Sequence, residues 1–171
     1  MAPTMIAGDY VYADMKPEVA LRLGDLVVVE VRKEEWIKRI VALPGDRIAI
    51  RHGQVILNGK AVAQRPNGAF EIAGEKDMPA TKVRKFLEQF PGELRPHEII
   101  DQMKTAQDEM PEIRLPPGQY FLLGDNRDNS MDSRMVDGPL GGLGLVVRKR
   151  ILGRVLFRYL RRGGDVEHVD F

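Results

Sequence analysis

Short β-branched and aromatic runs, each cut off by a turn signal, fill the first third of this 171-residue chain and commit it to antiparallel β-structure. "DYVYA" (9–13) and "LVVVEV" (26–31) each begin at or just after a Gly-Asp pair. "EWIKRIVAL" (35–43) alternates as a strand, with Trp36, Lys38 and Ile40 on one face and Ile37, Arg39 and Val41 on the other. "PGD" (44–46) marks a turn, and "RIAIR" and "QVILN" are short strands around His52-Gly53. Asn58-Gly59 is a strong hairpin signal, because both residues tolerate positive φ. This grammar describes a meander of short strands, not alternating β and α units.

Residues 64–114 change character: prolines recur, charges scatter and apolar spacing weakens. The spacing predicts a helix from about Thr81 to Phe90, with Thr81 as cap and Val83, Phe86, Leu87 and Phe90 on one stripe. A second helix is expected from Pro96 to Glu109. Residues 64–114 are therefore read as a small α/β subdomain inserted into a β-rich core made of 1–63 and 115–171. "LPPGQYFLLGD" (115–125) returns to strand grammar at Tyr120 to Leu123, and "GPLGGLGLV" (138–146) reads as a flexible glycine-rich loop. "ILGRVLFRYL" (151–160) closes as a strand, with Val155, Phe157 and Tyr159 on one face and Arg154 and Arg158 turned outward on the other. The expected class is mostly β, an antiparallel β-sheet core carrying that insert.

Composition removes several function classes. The absence of cysteine excludes disulfides, Cys-rich zinc sites and a thiol nucleophile. A net charge of +1 gives no global reason to invoke nucleic acid. No run approaches the roughly 18 apolar residues of a membrane span, and no signal peptide opens the chain. Charge is nonetheless uneven. From Arg148 to Arg162 there are seven Lys or Arg and no acid, and Asp165, Glu167 and Asp170 follow. That segment is either a solvated face or a contact for anionic lipid headgroups, worth about 1 kcal/mol per basic residue near the surface.

The polar chemistry concentrates in "GDNRDNSMDSR" (124–134), which holds the two serines of the chain, Ser130 and Ser133. A calcium loop counted from Asp125 would put Arg127 at its third, ligating position and Ser130 where glycine belongs, so no metal is expected. A Ser-His-Asp triad has no visible histidine: His52, His97 and His168 lie in a hairpin turn, the insertion and the tail, and are expected at the surface. A lysine base is the third possibility. Neutralising an ordinary lysine at neutral pH costs roughly 4–5 kcal/mol, and burial can supply a shift of that size. Lys38, between Trp36 and Ile40 on its strand face, is where such desolvation would occur. A hydroxyl could aim its amine without holding it charged. Spacing alone leaves open whether Lys38 points inward or sits outward at an edge.

Four blocks together resemble bacterial type I signal peptidase, the membrane-anchored serine protease that removes signal peptides with a Ser-Lys dyad. "MAPT" followed by Gly8-Asp9 resembles the nucleophile box, Ser-Met-x-Pro-Thr; "GDLVVVE" resembles the next strand box. "WIKRIVALPGDRI" resembles the box of the general base, and "GDNRDNSMDSR" the most diagnostic box, with "GRVLFRY" similar to the closing strand.

The resemblance implies that Lys38 is the general base and that Ser130 orients it. Asp132 and Arg134 would pair to hold the loop, and Met5, Val11, Trp36 and Ile37 would line shallow substrate pockets. It implies no metal or organic cofactor. Its partners would be signal peptides of exported preproteins and a membrane surface, not nucleic acid, with the catalytic domain on the outer face of the bacterial inner membrane. One departure matters: Met1 stands at the Met of Ser-Met-x-Pro-Thr, so the family's nucleophile, and its upstream anchor, are expected to precede this chain, which by itself should not cleave. Thr4 is the Thr of that motif, not the nucleophile. The competing expectation is a non-catalytic β-domain that binds extended peptides.

Overall fold

The computed structural model describes residues 1–16, 18–72, 81–136, 138, 141–160 and 169–171. In chain order the strands are β1 (Tyr10–Asp14), β2 (Leu26–Val31), β3 (Glu34–Ala42), β4 (Arg47–Arg51), β5 (Gln54–Leu57), β6 (Lys60–Ala61) and β7 (Ala63–Ile72). There follow β8 (Thr81–Gln89), β9 (His97–Ile100), β10 (Met110–Arg114), β11 (Gln119–Leu123), β12 (Val146–Val147), β13 (Ile151–Leu160) and β14 (Val169–Asp170). Single 3₁₀ turns occupy Ala106–Asp108 and Arg148–Arg150, and the described residues contain no α-helix.

Three sheets result. The largest runs β1-β13-β2-β3-β11-β12, with β14 also on β13; the second runs β10-β4-β5-β6; the third runs β7-β8-β9. Every strand pair is antiparallel. β2 shows why its sequence is nearly all apolar. Val27, Val29 and Val31 pack with Ile40, Leu122 and Val146, whereas Leu26 and Val28 pack on the other face with Met5 and Val155. A strand buried on both sides cannot alternate with polar residues. A third cluster, including Val41, Ile48, Val55, Phe90 and Phe121, joins the first sheet to the second. Asn58 and Gly59 take φ of 52° and 79°, so the hairpin between β5 and β6 uses the left-handed pair that its sequence advertises.

Neither expected helix forms. Thr81–Gln89 is the central strand of the third sheet, with its backbone paired to β7 on one side and β9 on the other. The helical stripe misleads because it counts only apolar residues. Glu88 is wholly buried in the same strand, held by ionic partners from elsewhere in the chain. Within 96–109 the chain forms β9 and a 3₁₀ turn, in which the Asp108 carboxylate accepts bonds from the amide and hydroxyl of Thr105. Ile99 and Ile100 are fully buried, and Ile100 exchanges backbone bonds with Asp125 and Arg127, an extended register that a helix could not supply.

Smaller expectations also change. Arg158 is buried, not outward: its guanidinium reaches the Thr4 carbonyl and the Asp9 carboxylate. The His97 side chain is largely covered, whereas His52 is exposed; His168 and the end of the basic run at Arg161 and Arg162 lie outside the described residues. In the glycine-rich segment, Leu143 is fully buried and its amide donates to the Asp132 carbonyl, while Pro139 and Leu140 lie outside the described residues.

Candidate active site

β3 carries Lys38 into the body of the first sheet, opposite the loop that follows β11. The Lys38 Nζ donates to Ser130 Oγ at 2.9 Å, joining positions 92 residues apart in sequence. Lys38 is 9% exposed and makes no ion pair among the described residues. Burial pushes its pKa down; Asp132 and Asp125 oppose this through charge, and Arg134 adds to it. The Trp36 ring lies 5.4 Å from Nζ, a contact that favours the ammonium by about 0.5–1 kcal/mol. The balance still leaves the lysine easier to deprotonate than one in water.

The two serines do different work. Ser133 is buried, and its hydroxyl accepts the Leu122 amide at 3.0 Å, tying the loop back to β11. Ser130 faces Lys38. Its place is made by Gly124, where an added Cβ would stand 2.2 Å from Ser130 Oγ. Gly124 is thus a site residue that the sequence stretch contained without signalling its role.

Three ion pairs hold the loop. Arg134 Nε and Nη2 bond Asp132 Oδ1 and Oδ2, each at 2.9 Å, and Oδ2 also accepts the Gly124 amide. Arg39, adjacent to Lys38 on β3 but facing the other way, grips Asp125 through Nε and Nη2 at 2.8 and 2.7 Å. Burial alone would raise the Asp125 pKa; the Arg39 charge and its hydrogen bonds outweigh it and pull the group down to about 2. Thr4 donates to the same carboxylate, which fastens the N-terminal segment to the loop. Arg127 forms a two-pronged pair with Glu88 of β8. The Asx turn at Asn126, whose side chain accepts the Asn129 amide, and Asp128, which accepts the amides of Gln102 and Met103, complete the framework.

A cleft of about 340 Å³ opens beside Lys38. Met1, Met5, Val11, Trp36 and Ile37 are among its lining residues, so the four sequence-selected pocket positions fall in one concavity with the lysine. The Met1 amine is largely buried. Burial lowers its pKa, and it lies within electrostatic reach of Asp125 and Lys38. Among the described residues no group of three or more His, Asp or Glu side chains is arranged so that it could hold a metal ion. No helix among them is long and apolar enough to cross a membrane. The basic segment is partly structural: Arg148 bonds the Ile151 and Val19 carbonyls, and Arg150 the Glu30 carbonyl.

A signal peptidase I from Bacillus amyloliquefaciens is 29% identical over 159 residues, covering 92% of this chain and 69% of its own. A signal peptidase I from Bacillus caldolyticus is 32% identical over 171 residues, covering 93% and 74%, and signal peptidase I S of Bacillus subtilis is 31% identical, covering 92% and 70%. The crystal structure of a signal peptidase I from Enterococcus faecalis aligns with 80% of this chain and 97% of that one, at 19% identity and a TM-score of 0.44. The family model described as "Signal peptidase, peptidase S26" matches residues 1–160. The chain belongs to the signal peptidase family, peptidase S26.

Proposed function

We propose that this chain is the catalytic domain of a signal peptidase that cleaves by a Ser-Lys dyad, with Lys38 as general base and Ser130 as the group that orients it. The observation that carries this reading is the Lys38–Ser130 contact: a buried amine, without a carboxylate partner, aimed by a neutral hydroxyl. A carboxylate in place of Ser130 would hold the lysine charged and useless as a base. The nucleophile is the serine that would precede Met1 in a longer polypeptide. Support comes from Met1, which lines the cleft that also takes in Lys38.

Neutral Lys38 takes the proton of that serine as its oxygen attacks the scissile carbonyl. The ammonium so formed then protonates the leaving amine. The mature protein departs with that amine; in the second half Lys38 takes a proton from the water that attacks the acyl-enzyme and returns it to the serine oxygen as the signal peptide leaves. A backbone amide at the nucleophile would contribute to the oxyanion hole, as preorganised donors do. The substrate is the signal-peptide segment of an exported preprotein, lying extended in the cleft with small side chains against Met5, Val11, Trp36 and Ile37. Asp132 and Arg134 hold the loop and take no part in bond making. On this reading the domain works at the outer face of the bacterial inner membrane, and 64–114 is an insertion in a core of 1–63 and 115–171.

A polypeptide with a serine immediately before Met1 should cleave a preprotein, and replacing that serine with alanine should abolish the cleavage. Lys38→Arg in the extended form should abolish cleavage, since arginine cannot deprotonate at working pH. Cleavage by Lys38→Arg at near the unsubstituted rate would refute Lys38 as the base.

A further inference from the structure

His97 has no part in this chemistry, yet it sits at the centre of a buried array of charge. Its side chain is 8% exposed and stacks on the Phe90 ring at 5.7 Å. Nδ1 lies 3.0 Å from Glu93 Oε1, and Nε2 lies 3.2 Å from Glu88 Oε2. A neutral imidazole has one N–H and one lone pair, so it would set a lone pair against a carboxylate oxygen; only the imidazolium donates to both.

Neither carboxylate is placed to supply the missing proton. Glu88 also takes both terminal nitrogens of Arg127. Burial would raise its pKa, but Arg127 and His97 outweigh burial and hold it at about 2. Glu93 accepts the Phe90 amide and faces Arg39 Nη1 at 3.8 Å. Arg39 in turn grips Asp125. The array therefore runs Arg127, Glu88, His97, Glu93, Arg39, Asp125, and its cations and anions balance only when His97 is charged.

We propose that His97 is a resident imidazolium and a positioning residue, joining the Glu88–Arg127 and Glu93–Arg39 pairs so that the third sheet holds the Ser130 loop against β3. The groups facing it come from every neighbouring element: Glu88 from β8, Glu93 from the β8–β9 turn, Arg39 from β3 and Asp125 from the loop after β11. Burial and Arg39 work against its charge; the hydrogen bonds to both glutamates, with Asp125, outweigh them and raise its pKa. Its stabilising effect is therefore complete below the ordinary histidine range and is lost as pH rises through the elevated folded value. Losing the proton leaves the array with a net negative charge in a site mostly shielded from water.

The protonation state stands apart from the Ser-Lys reading; the effect on rate rests on it. Ring-nitrogen NMR of the 15N-labelled chain, with His97 assigned through its contact to Phe90, decides the first. Both nitrogens should be of the N–H type at about pH 7, and one bare nitrogen there would overturn the proposal. In the same unsubstituted chain, the Lys38 side-chain signals should move as His97 titrates at higher pH; signals that ignore it would overturn the positioning role.

In the serine-extended polypeptide, His97→Gln should lower kcat roughly 2- to 30-fold, the usual range for coupling through a network, with KM little changed. The rate of the unsubstituted enzyme should fall as pH rises through the His97 transition, and His97→Arg should remove that fall. An unchanged kcat and alkaline limb in His97→Gln would count against the proposal. Absence of any cleavage would sink the Ser-Lys reading and leave the two NMR results to judge His97.

Discussion

Asp125→Asn should separate the loop's anchor from its chemistry. The carboxylate and the Arg39 guanidinium are 1% and 4% exposed, and both carboxylate oxygens are engaged by that one guanidinium. An amide keeps one acceptor and turns an NH₂ toward Arg39, whose remaining compensation is Glu93 at 3.8 Å. Removing one partner of a buried pair costs about 3–5 kcal/mol. The pKa gives a second route to the magnitude. Depression from 3.8 to about 2 corresponds to about 2–3 kcal/mol of stability. Because the folded value is the lower one, that stability is full above the ordinary aspartate value and is lost as pH falls through the folded value. The difference between the two proteins should therefore be widest at neutral pH and shrink by about 2–3 kcal/mol between about pH 4 and about pH 2. Urea unfolding at a series of pH values measures it, with fluorescence of Trp36, the single tryptophan, as one probe and far-UV circular dichroism as another. A neutral-pH loss under about 1 kcal/mol, or a difference that stays constant into acid, would refute an ionic anchor.

Two further substitutions divide the loop by function. Ser130→Ala should lower the rate of the serine-extended enzyme while unfolding is nearly unchanged, whereas Ser133→Ala should cost about 1–3 kcal/mol by leaving the buried Leu122 amide unpaired; equal effects of the two on rate and stability would contradict the split. Gly124→Ala places a Cβ against Ser130 Oγ and 3.6 Å from Lys38 Nζ, so it should displace the hydroxyl and lower kcat without changing the far-UV spectrum. Full activity in Gly124→Ala would show that Ser130 can move freely, against its orienting role.

What could be read from the sequence was what local chemistry decides. β2, β4, β5, β11 and β13 announced themselves because their apolar runs end at turn residues and their partners need only bury the same face. The β2–β3 hairpin gave no such notice at its turn. Arg32 and Lys33 adopt φ of 51° and 71°, where Asn or Gly would be expected. Pairing of Val31 with Glu34 and burial along both strands impose that turn from outside. β8 failed for a related reason, since Glu88 counts as a surface residue until Arg127 and His97 arrive from 39 and 9 residues away. At the site, spacing could nominate Lys38 but not its direction; the link to Ser130 spans 92 residues, and the family resemblance, not periodicity, suggested it. His97 shows the limit most clearly. Glu93 four residues earlier would have suggested at most an exposed helical pair, yet both residues lie in a strand-and-turn segment with a second carboxylate behind the ring. Burial of an apolar side chain is written in its own type and its neighbours' types. Burial of a charge is decided by which distant groups can neutralise it, and a single sequence does not name them.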